Sequence, residues 1–285
     1  KSKKKKIYIP TLIPSHNKNK GFVVDSKIIE KYMFNSNNEY VGVKKFFEFG
    51  NFFDSNLVEE NPRIKMLIKH TNDLRKLLKT KKKHLKSICA FQTRNIPHLG
   101  HEEIIQFLSR RFDLVVINPI VGRKKKGDIR SDVIEKSYKF LLKNFLPSNI
   151  MYLPIISDMY YAGPLEAAHH AKIRENLGFT DFIVGRDHAG ANNQYTANQA
   201  SMYIKKEKYN FKINIHSIEG AYYCNNCKKI TLNRLCCDSF KRGTSKVEIS
   251  GSTFRNCLKE KKYYQHSRKE LFDFILNKFS TDIYV

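Results

Sequence analysis

From residue 85 onward, the sequence predicts an α/β fold in which a parallel sheet carries helices on both faces. Short runs rich in β-branched and apolar residues alternate there with longer stretches of helical periodicity, which is typical of successive βαβ units. The chain has 285 residues, of which 41% are hydrophobic, and this suits one such domain with a small appendage.

The predicted strands and helices follow one another in order along the chain. The predicted strands are residues 85–91, 114–117, 150–156, 182–184 and 211–218. The predicted helices are residues 101–111, 130–145 and 164–176, the last with Pro164 in its first turn, where proline is favoured. Ligands of such sheets bind beyond the carboxyl ends of the strands, so the loops that follow the first four strands are the candidate sites.

Residues 1–84 differ in character from the rest of the chain. They are polar, rich in Lys and Asn, and interrupted by Gly42, Gly50 and Pro62. We interpret them as a small, partly β module that ends in a helix over residues 64–78. The sequence therefore predicts an N-terminal module of residues 1–84 and a catalytic domain of residues 85–285, which includes a cysteine-rich segment at residues 222–240.

The net charge of +25 raises the question of nucleic-acid binding. The Lys residues are scattered along the whole chain rather than clustered, and Asn and Ile are abundant beside them. Because Lys, Asn and Ile share AT-rich codons, compositional drift explains much of the excess, and attraction of anions is the alternative. Both interpretations leave a field that favours anionic substrates, and nucleic acid is not the expected partner.

Targeting signals are not evident in the sequence. No run of about eighteen apolar residues occurs, so no membrane span is predicted. The basic stretch of residues 1–6 lacks the apolar core of a signal peptide. We expect a cytoplasmic protein.

The loop after the first predicted strand, residues 92–101, reads QTRNIPHLGH. His98 and His101 are three residues apart at the start of a helix, so they lie on one face near the positive end of the helix dipole. Imidazoles there can donate hydrogen bonds to phosphate oxygens, and Gly100 lets a ligand approach the backbone. Arg94 offers a planar fork that matches tetrahedral oxyanions. A strand and QTRN before an HxxH pair make this loop a strong candidate site.

Five blocks of the sequence resemble motifs of the sulfate adenylyltransferase (ATP sulfurylase) family, in the family's order. Residues 92–101 are similar to QTRNxPHxxH, and GRDHAG at residues 185–190 matches without a change. The other blocks are NPIVG and KGD at residues 118–122 and 126–128, YAGP through IR at residues 161–174, and ISGSTFR at residues 249–255. The resemblance covers residues 85 to about 275. It implies a Rossmann-like nucleotidyltransferase fold with a shortened, PUA-like N-terminal module.

The resemblance also implies an activity. The family joins sulfate to the α-phosphate of ATP by in-line attack, which yields adenylyl sulfate (APS) and pyrophosphate. ATP would enter as its Mg²⁺ complex, because a multiply charged triphosphate needs a counter-ion. Both directions of the reaction remain open. Relatives of this type commonly form dimers or higher assemblies, so a homo-oligomer is expected.

Roles for single residues come from the same resemblance. The implied catalytic residues are Thr93, Arg94, Asn95, His98 and His101. The implied sulfate ligands are Gln92, Arg94 and the backbone N–H of Ala189. The implied ATP contacts are the five catalytic residues with Gln92, Gly185, Arg186, Asp187, His188 and the backbone near Ile218. The two histidines would stabilise the triphosphate and the departing pyrophosphate.

Three features depart from the family pattern. Asn118 stands where the family usually has His, and residues 191–199 lack the family's Tyr-Gly pattern. The module before residue 85 is shorter than the family's N-terminal domain. No Gly-x-x-x-x-Gly-Lys-Ser/Thr motif is present, so an attached kinase that acts on the product is not predicted.

Four of the six cysteines, Cys224, Cys227, Cys236 and Cys237, fall within fourteen residues. Their C-x₂-C-x₈-CC spacing predicts a structural zinc knuckle, in which thiolates close a tetrahedral site. The family pattern supplies a His after the third cysteine, and this chain has none there, so Cys237 or Asp238 would complete the shell. Reduced free thiols at a decayed site are the alternative.

Three rival interpretations remain at this point. Another HxxH-type adenylyltransferase would share the HxxH loop and the ISG helix, but it would lack the GRDHAG and YAGP segments. A basic zinc-ribbon protein that binds nucleic acid would account for the charge and the cysteines, but not for the oxyanion-binding loops. An inactive relative is the third, and the intact loops at residues 92–101 and 185–190 count against it.

Overall fold

The computed structural model describes residues 6–9, 22–25, 62–121, 127–156, 159, 163–190, 195–196, 198–206, 211–232 and 236–285. Contacts between residues divide the chain into two compact units. The first unit comprises Lys1–His84 and Ile156–His216, and the second comprises Leu85–Ile155 and Ser217–Val285. Each unit therefore draws on two separate segments of the chain.

Ten strands and eight helices lie within the described residues. The strands are β1 (Lys6–Ile9), β2 (Phe22–Asp25), β3 (Ile88–Phe91), β4 (Leu114–Ile117), β5 (Ile150–Tyr152), β6 (Asp181–Gly185), β7 (Asn214–Ile218), β8 (Ala221–Cys224), β9 (Lys229–Leu232) and β10 (Lys246–Glu248). The helices are α1 (Pro62–Lys82), α2 (Leu99–Ser109), α3 (Ser131–Asn144), α4 (Pro164–Leu177), α5 (Gln199–Lys206), α6 (Asp238–Lys241), α7 (Gly251–Lys259) and α8 (Lys269–Phe279).

Parallel strands form the centre of the second unit. They lie in the order β5-β4-β3, with Ile88 opposite Leu114 and Val115 opposite Ile150. Every residue of β3 and β4 is buried, and apolar runs of this kind suit parallel strands covered on both faces. The predicted α/β fold with a parallel sheet is confirmed.

The structure shortens the strand predicted at residues 85–91 to β3, which begins at Ile88. The backbone N–H groups of Lys86 and Ser87 both donate to Asp113 Oδ2, at 2.7 and 2.9 Å. The N–H groups of both residues are therefore held by the side chain of Asp113, which precedes β4, while the Ser87 carbonyl oxygen accepts from the Leu114 N–H at 3.2 Å. A strand predicted from the pattern of apolar residues does not reveal that a side chain accepts the hydrogen bonds of its first backbone N–H groups.

The strand predicted at residues 150–156 is also shorter than expected, because β5 ends at Tyr152. Pro154 follows closely, and a proline has no N–H to continue a ladder of hydrogen bonds. Pairing resumes once, as an isolated parallel bridge between Ile155 and Ile120. The polypeptide thus keeps the strand direction beyond the end of β5.

A second sheet lies in the same unit. It is antiparallel, in the order β10-β8-β9, and α2 packs against both β8 and β9. Cys224 is the last residue of β8, and Cys227 lies in the turn between β8 and β9. The helix that follows the candidate loop is therefore in direct contact with the cysteine-rich segment.

In the first unit, α4 packs against α1 and α5, and β6 is a neighbour of β7. Helix α4 has Pro164 at its first position, as predicted, and ends at Gly178. Gly178 has a φ of 104°, and its N–H donates to the carbonyl oxygens of Arg174 and Glu175. A left-handed glycine after the last turn is a common way to end a helix.

The N-terminal module is described only at β1, β2 and α1. Strands β1 and β2 pair antiparallel, with Lys6 opposite Asp25, and α1 contains the predicted helix over residues 64–78. The rest of the predicted PUA-like module lies outside the described residues. Within the parts of the chain that the structure describes, no helix has the length and apolar character needed to cross a membrane.

Candidate active site

The first candidate loop leaves the buried strand β3 and runs to the start of α2. Thr93, which is buried, sits at the turn, where its Oγ1 accepts a hydrogen bond from the Asn95 N–H at 3.3 Å. Tyr138 on α3 donates its hydroxyl hydrogen to the same Oγ1 at 3.4 Å. A short side chain that bonds to the backbone two residues on is a common turn device. The polypeptide between β3 and α2 is thus folded by its own side chains.

Asn95 joins this loop to the ISGSTFR segment. Arg255 on α7 donates from Nη1 to Asn95 Oδ1 at 2.8 Å, although the two residues are 160 positions apart. The carbonyl oxygen of Arg255 in turn accepts from the Tyr284 hydroxyl at 2.8 Å. The structure therefore brings two of the sequence blocks together and fixes the Asn95 amide by a charge-assisted hydrogen bond.

Helix α7 begins at Gly251, the last residue of the ISG triplet in the ISGSTFR block. Ser250 is its N-cap, and its side chain accepts from the Thr253 N–H at 3.2 Å. The backbone N–H of Ser250 donates to the Tyr264 hydroxyl at 3.1 Å. The side chain and the backbone N–H of Ser250 are thus both hydrogen-bonded, and the first turn of α7 is held beside Asn95.

His98 and His101 form a reciprocal cap at the start of α2. The His101 N–H donates to His98 Nδ1, and the His98 N–H donates to His101 Nδ1, each at 3.4 Å. A backbone N–H is only a donor, so each Nδ1 accepts, and each neutral ring carries its proton on Nε2. The two histidines therefore present Nε2–H donors at the positive end of the helix dipole.

The two rings pack closely together. Their centroids are 4.0 Å apart, and the Phe91 ring lies edge-on to His101 at 6.2 Å. Desolvation of its ring by burial lowers the pKa of His101 to about 4. His101 is therefore neutral at physiological pH, as its place in the cap requires.

Gly100 has a role that the sequence did not reveal. A Cβ atom at this position would lie 3.0 Å from both Cε1 and Nδ1 of His98. The glycine thus makes room for the His98 ring within the cap.

Gln92 and Arg94 are both half-buried beside Thr93. Gln92 Oε1 is shielded from solvent and has no hydrogen-bond partner among the described residues. A buried polar atom without a partner costs free energy that a bound group can recover. The position of Gln92 Oε1 therefore suits a contact with a bound ligand.

The NPIVG block begins at the carboxyl end of β4 with Asn118, which is fully buried. Its Nδ2 donates to the Leu153 carbonyl oxygen at 2.5 Å, and its backbone N–H donates to the Phe91 carbonyl oxygen at 2.8 Å. Asn118 thus ties the ends of three strands together in the place where the family usually has His. Residues 122–126 lie outside the described residues, and Asp128 is buried after them.

The second candidate loop, residues 185–190, belongs to the first unit and follows β6. Asp187 and Ala189 have φ angles of 51° and 56°, which are uncommon for residues other than glycine. The Gly190 N–H donates to the Asp187 carbonyl oxygen, and the Gly163 N–H donates to the Ala189 carbonyl oxygen, each at 3.1 Å. This loop is shaped by its backbone.

A close contact fixes the end of this loop. A Cβ atom at Gly190 would lie 1.9 Å from Asp187 Oδ1, so a larger residue there would require the Asp187 side chain to move. His188 is buried, whereas Gly185 and Arg186 are half-buried. The remaining predicted ATP contact, Ile218, is half-buried at the end of β7. Tyr161 and Ala162 of the YAGP block lie outside the described residues.

The four clustered cysteines converge as predicted. One sulfur atom from each of Cys224, Cys227, Cys236 and Cys237 lies within 4.8 Å of every other. The Cys227 N–H donates to Cys224 Sγ at 3.4 Å, and Asn226 Nδ2 donates to Cys237 Sγ at 3.5 Å. The Asn226 contact is the main cause that lowers the pKa of Cys237 to about 6.

The cysteine cluster also settles which of the two candidate fourth ligands faces it. Cys237 Sγ is 3.7 Å from Cys224 Sγ. Asp238 instead begins helix α6 and accepts from Lys241 Nζ at 3.2 Å. The geometry favours Cys237, and four thiols of this kind form a donor set that fits zinc.

Sequence reasoning missed three side chains that shape the site. Tyr138 and Tyr284 hold Thr93 and Arg255 through their hydroxyl groups, and Tyr264 holds the Ser250 backbone. None of these three tyrosines belongs to one of the motifs found in the sequence, so no sequence signal pointed to them. Their partners are distant in sequence and are visible only in the fold.

Both loops follow strands of an α/β protein and present polar groups at the strand ends, which is where the ligands of such proteins bind. The ATP-sulfurylase family model matches residues 66–277, and the chain belongs to the ATP-sulfurylase family. It is 41% identical over 179 residues to a sulfate adenylyltransferase of Pyrococcus abyssi, a match that covers 62% of this chain and 46% of the relative.

Other proteins agree with this assignment. The chain is 40% identical over 176 residues to a sulfate adenylyltransferase of Hyperthermus butylicus, covering 61% of this chain and 44% of the relative. It spans about half the length of the curated relatives it matches. A solved structure described as a hexameric APS kinase from Thiobacillus denitrificans covers 74% of this chain and 39% of its own, with a TM-score of 0.53 at 14% identity. That likeness shows a shared fold.

Proposed function

We propose that this chain transfers the adenylyl group of ATP to sulfate, which gives APS and pyrophosphate. The observation that carries the proposal is the reciprocal cap of His98 and His101, which directs two neutral Nε2–H donors from the start of α2. The cap follows a loop fixed by the Asn95–Arg255 contact, and both lie in the region that the family model matches.

The proposed chemistry on the second unit is positioning and stabilisation of charge. Sulfate is a poor nucleophile, so it must be held in line with the α-phosphorus while charge develops on the leaving pyrophosphate. Arg94 and Gln92 would bind sulfate. Thr93 and Asn95 would line the reacting centre, and the Nε2–H groups of the two histidines would donate to the phosphates, each donor contributing most in the transition state.

The proposed chemistry on the first unit is carried by the backbone of residues 185–190. The Ala189 N–H would donate to sulfate, and Gly185, Arg186, Asp187 and His188 would contact ATP. The backbone near Ile218 would contact adenine. Mg²⁺ would arrive bound to the triphosphate, as part of the substrate, and would offset its charge.

The activity is tested with the purified 285-residue chain. Pyrophosphate release from MgATP is measured with and without sulfate, and ATP formation is measured from APS and pyrophosphate. We expect turnover in both directions and strict dependence on sulfate in the forward one. Absence of turnover in both directions would contradict the proposal, whereas sulfate-independent adenylyl transfer to another acceptor would favour the rival HxxH-type enzyme.

The same preparation distinguishes the nucleic-acid alternative. A basic zinc-ribbon protein would retain DNA in a salt-sensitive way, because Lys contacts to phosphates release counter-ions. We expect weak retention that disappears at physiological salt, together with sulfate-dependent turnover. Tight DNA retention without turnover would reverse the assignment.

We propose that Cys224, Cys227, Cys236 and Cys237 hold one structural Zn²⁺. The observation behind this proposal is the convergence of their four sulfur atoms within 4.8 Å. The metal would join the β8–β9 turn to the start of α6, a region whose buried side chains are few. Such a site contributes directly to folding stability.

Metal content tests this site. We expect about one zinc per chain, lost together with thermal stability when Cys224 and Cys227 are both changed to Ser. Cys237→Ser should also lose zinc, whereas Asp238→Asn should keep it. Cys257→Ser is the matched control, a half-buried cysteine outside the cluster. Metal-free protein with an unchanged melting temperature would favour reduced free thiols.

A homo-oligomer, expected from the resemblance, is part of the same proposal. Light scattering on the eluting peak of a sizing column measures it without a tag or a ligand. A mass of two or more chains would support an assembly, and the mass of one chain would exclude it at the concentration used.

A further inference from the structure

A buried row of polar side chains lies behind the second candidate loop. Glu166 and His170 are one turn apart on α4, with 0% and 1% of their surface exposed. His170 Nδ1 is 3.1 Å from Nε2 of His188, which belongs to the loop itself. His170 Nε2, the other ring nitrogen, is 3.3 Å from Glu166 Oε1. None of these contacts was apparent from the sequence.

The row has a direction. A carboxylate only accepts hydrogen bonds, so Glu166 favours the form of His170 whose proton is on Nε2. Nδ1 of a neutral His170 then has a lone pair, and His188 Nε2 must donate its proton to it. Glu166 therefore determines, through His170, which nitrogen of His188 carries the proton.

Other buried groups keep this row in place. Burial lowers the pKa of His170 well below its ordinary value, so the ring stays neutral. Arg174, also fully buried on α4, donates to the His170 carbonyl oxygen at 3.3 Å, and its guanidinium lies 5.1 Å from the centre of the Phe182 ring. The His188 ring meets the same Phe182 edge-on at 5.5 Å.

His188 stands between Asp187 and Ala189, the two residues of the loop with positive φ. Such backbone conformations persist only when their surroundings hold them. The Ala189 carbonyl oxygen is held by the Gly163 N–H at 3.1 Å. On the other side, the His188 side chain is held by His170, and the peptide bond between His188 and Ala189 carries the Ala189 N–H.

We propose that Glu166 and His170 are positioning residues, which hold His188 and through it aim the Ala189 N–H at a tetrahedral oxyanion. This inference rests on the proposed function, because it takes sulfate as the oxyanion. It adds to that function two buried residues, Glu166 and His170, that touch neither substrate and act through His188. These two residues should therefore affect the use of sulfate without contributing a group to the chemistry.

The test is a series of variants at His170. His170→Leu removes the acceptor, and we expect kcat/KM for sulfate to fall about 10- to 100-fold through a higher sulfate KM, since a small displacement of a binding group costs this much. His170→Asn restores an acceptor near the position of Nδ1 and should recover part of the loss. Glu166→Gln keeps the shape of the Glu166 side chain and removes its charge. Its kcat/KM for sulfate should lie between the values of His170→Leu and His170→Asn.

The matched control is His169→Leu. His169 is the next residue on α4, is 3% exposed, and its Nδ1 has no hydrogen-bond partner among the described residues. It is as buried as His170 but outside the row, so its replacement should leave both KM values and kcat as in the wild type. A purely structural role of α4 predicts instead that both Leu variants lose stability and keep their kinetics.

A double-mutant cycle separates the row from independent effects. If His170 acts through His188, then His170→Leu added to His188→Gln should cause little further loss of kcat/KM for sulfate. Additive losses would contradict the proposal, as would wild-type sulfate KM in folded His170→Leu. If His170→Leu does not fold, Glu166→Gln or His170→Asn replaces it in the cycle with His188→Gln, and kcat/KM for sulfate is compared in the same way.

A spectroscopic readout distinguishes failure of this inference from failure of the proposed function. The ¹⁵N shifts of the imidazole rings report which nitrogen carries the proton, and they need no turnover. We expect the His188 signals to change in His170→Leu and to stay unchanged in His169→Leu. Unchanged His188 signals in both variants would show that His170 does not position His188. An inactive wild type that shows the expected shifts would instead show that sulfate is not the oxyanion.

Discussion

The loops after β3 and β6 present polar groups by different means. The first is fixed by side chains: His98 and His101 cap each other, and Asn95 is held by Arg255. The second is fixed by its backbone, with Asp187 and Ala189 at positive φ and Gly190 pressed against Asp187. A donor on a side chain can be removed by one substitution, but a backbone N–H can only be displaced through its neighbours.

This difference predicts how each loop responds to mutation. Substitutions in residues 92–101 should remove catalytic groups and leave most of the fold intact. Substitutions in residues 185–190 should disturb the shape of the loop, so that stability and substrate affinity change together. The predictions below test this contrast, beginning with the largest expected effect.

Arg94→Ala should have the largest effect on turnover. The half-buried guanidinium is the proposed partner of sulfate, and loss of one member of a buried ion pair costs about 3–5 kcal/mol. That corresponds to a loss of about 10²–10⁴-fold in kcat/KM for sulfate. Arg94→Lys should restore only part of it, since an ammonium cannot form two parallel hydrogen bonds. Near-normal kinetics in the folded Arg94→Ala variant would show that Arg94 does not bind sulfate.

Replacement of His98 or His101 should have the next largest effect on turnover. Loss of one donor to a developing charge typically costs about 10²–10³-fold in turnover. His98→Ala and His101→Ala should each slow both reaction directions by about this factor, with little change in sulfate affinity. Steady-state kinetics in both directions measure it.

The cap complicates these alanine variants, and the structure supplies the control. His98→Ala also loses an N-cap contact worth about 1 kcal/mol. His98→Asn keeps an N-cap acceptor, and His101→Gln keeps a side chain that can reach back to the N-cap backbone. These two should melt near the wild-type temperature and still be slow. Wild-type turnover in folded His98→Ala and His101→Ala would show that this loop does not bind the phosphates.

The same cap shows what the sequence could and could not predict. The hydrophobic period and the HxxH spacing placed a helix at residues 101–111, whereas α2 begins at Leu99. Histidine is not among the residues that usually cap helices, so residue type gave no sign that His98 is the N-cap. The order of strands and helices was predictable because apolar periodicity is local.

The contacts that complete the site were beyond prediction from local pattern. Resemblance placed Asn95 and Arg255 in two separate motifs of the family and gave no sign that the two residues are in contact. The positive φ of Asp187 and Ala189 is equally invisible, because neither residue type requires it. These features depend on residues far apart in sequence, or on the backbone conformation that the finished fold imposes.

Gly190→Ala tests the backbone side of the contrast. The new Cβ would lie 1.9 Å from Asp187 Oδ1, so the Asp187 side chain or the loop that carries it must shift. We expect a loss of about 1–3 kcal/mol in the free energy of unfolding, as for other overpacked sites, and a higher sulfate KM. Gly185→Ala is the control for stability, since no atom lies within 4 Å of its Cβ position. Equal unfolding midpoints in urea for both variants would refute the close contact.

The smallest expected effect is a dependence of stability on pH, specific to the side-chain cap. Burial lowers the pKa of His101 to about 4 in the folded chain, from about 6.5 in the unfolded chain. Between these values the unfolded state binds more protons, so the contribution of His101 to stability is complete above pH 6.5 and declines as the pH falls towards 4. His101→Gln has no titrating ring but retains a capping side chain. Urea unfolding of both proteins from pH 7.5 to 4.5 should therefore show a steeper decline for the wild type. The buried histidines of α4 titrate in both proteins, and the comparison cancels their effect. Curves that stay parallel over this range would mean that the His101 ring is not held neutral by the cap.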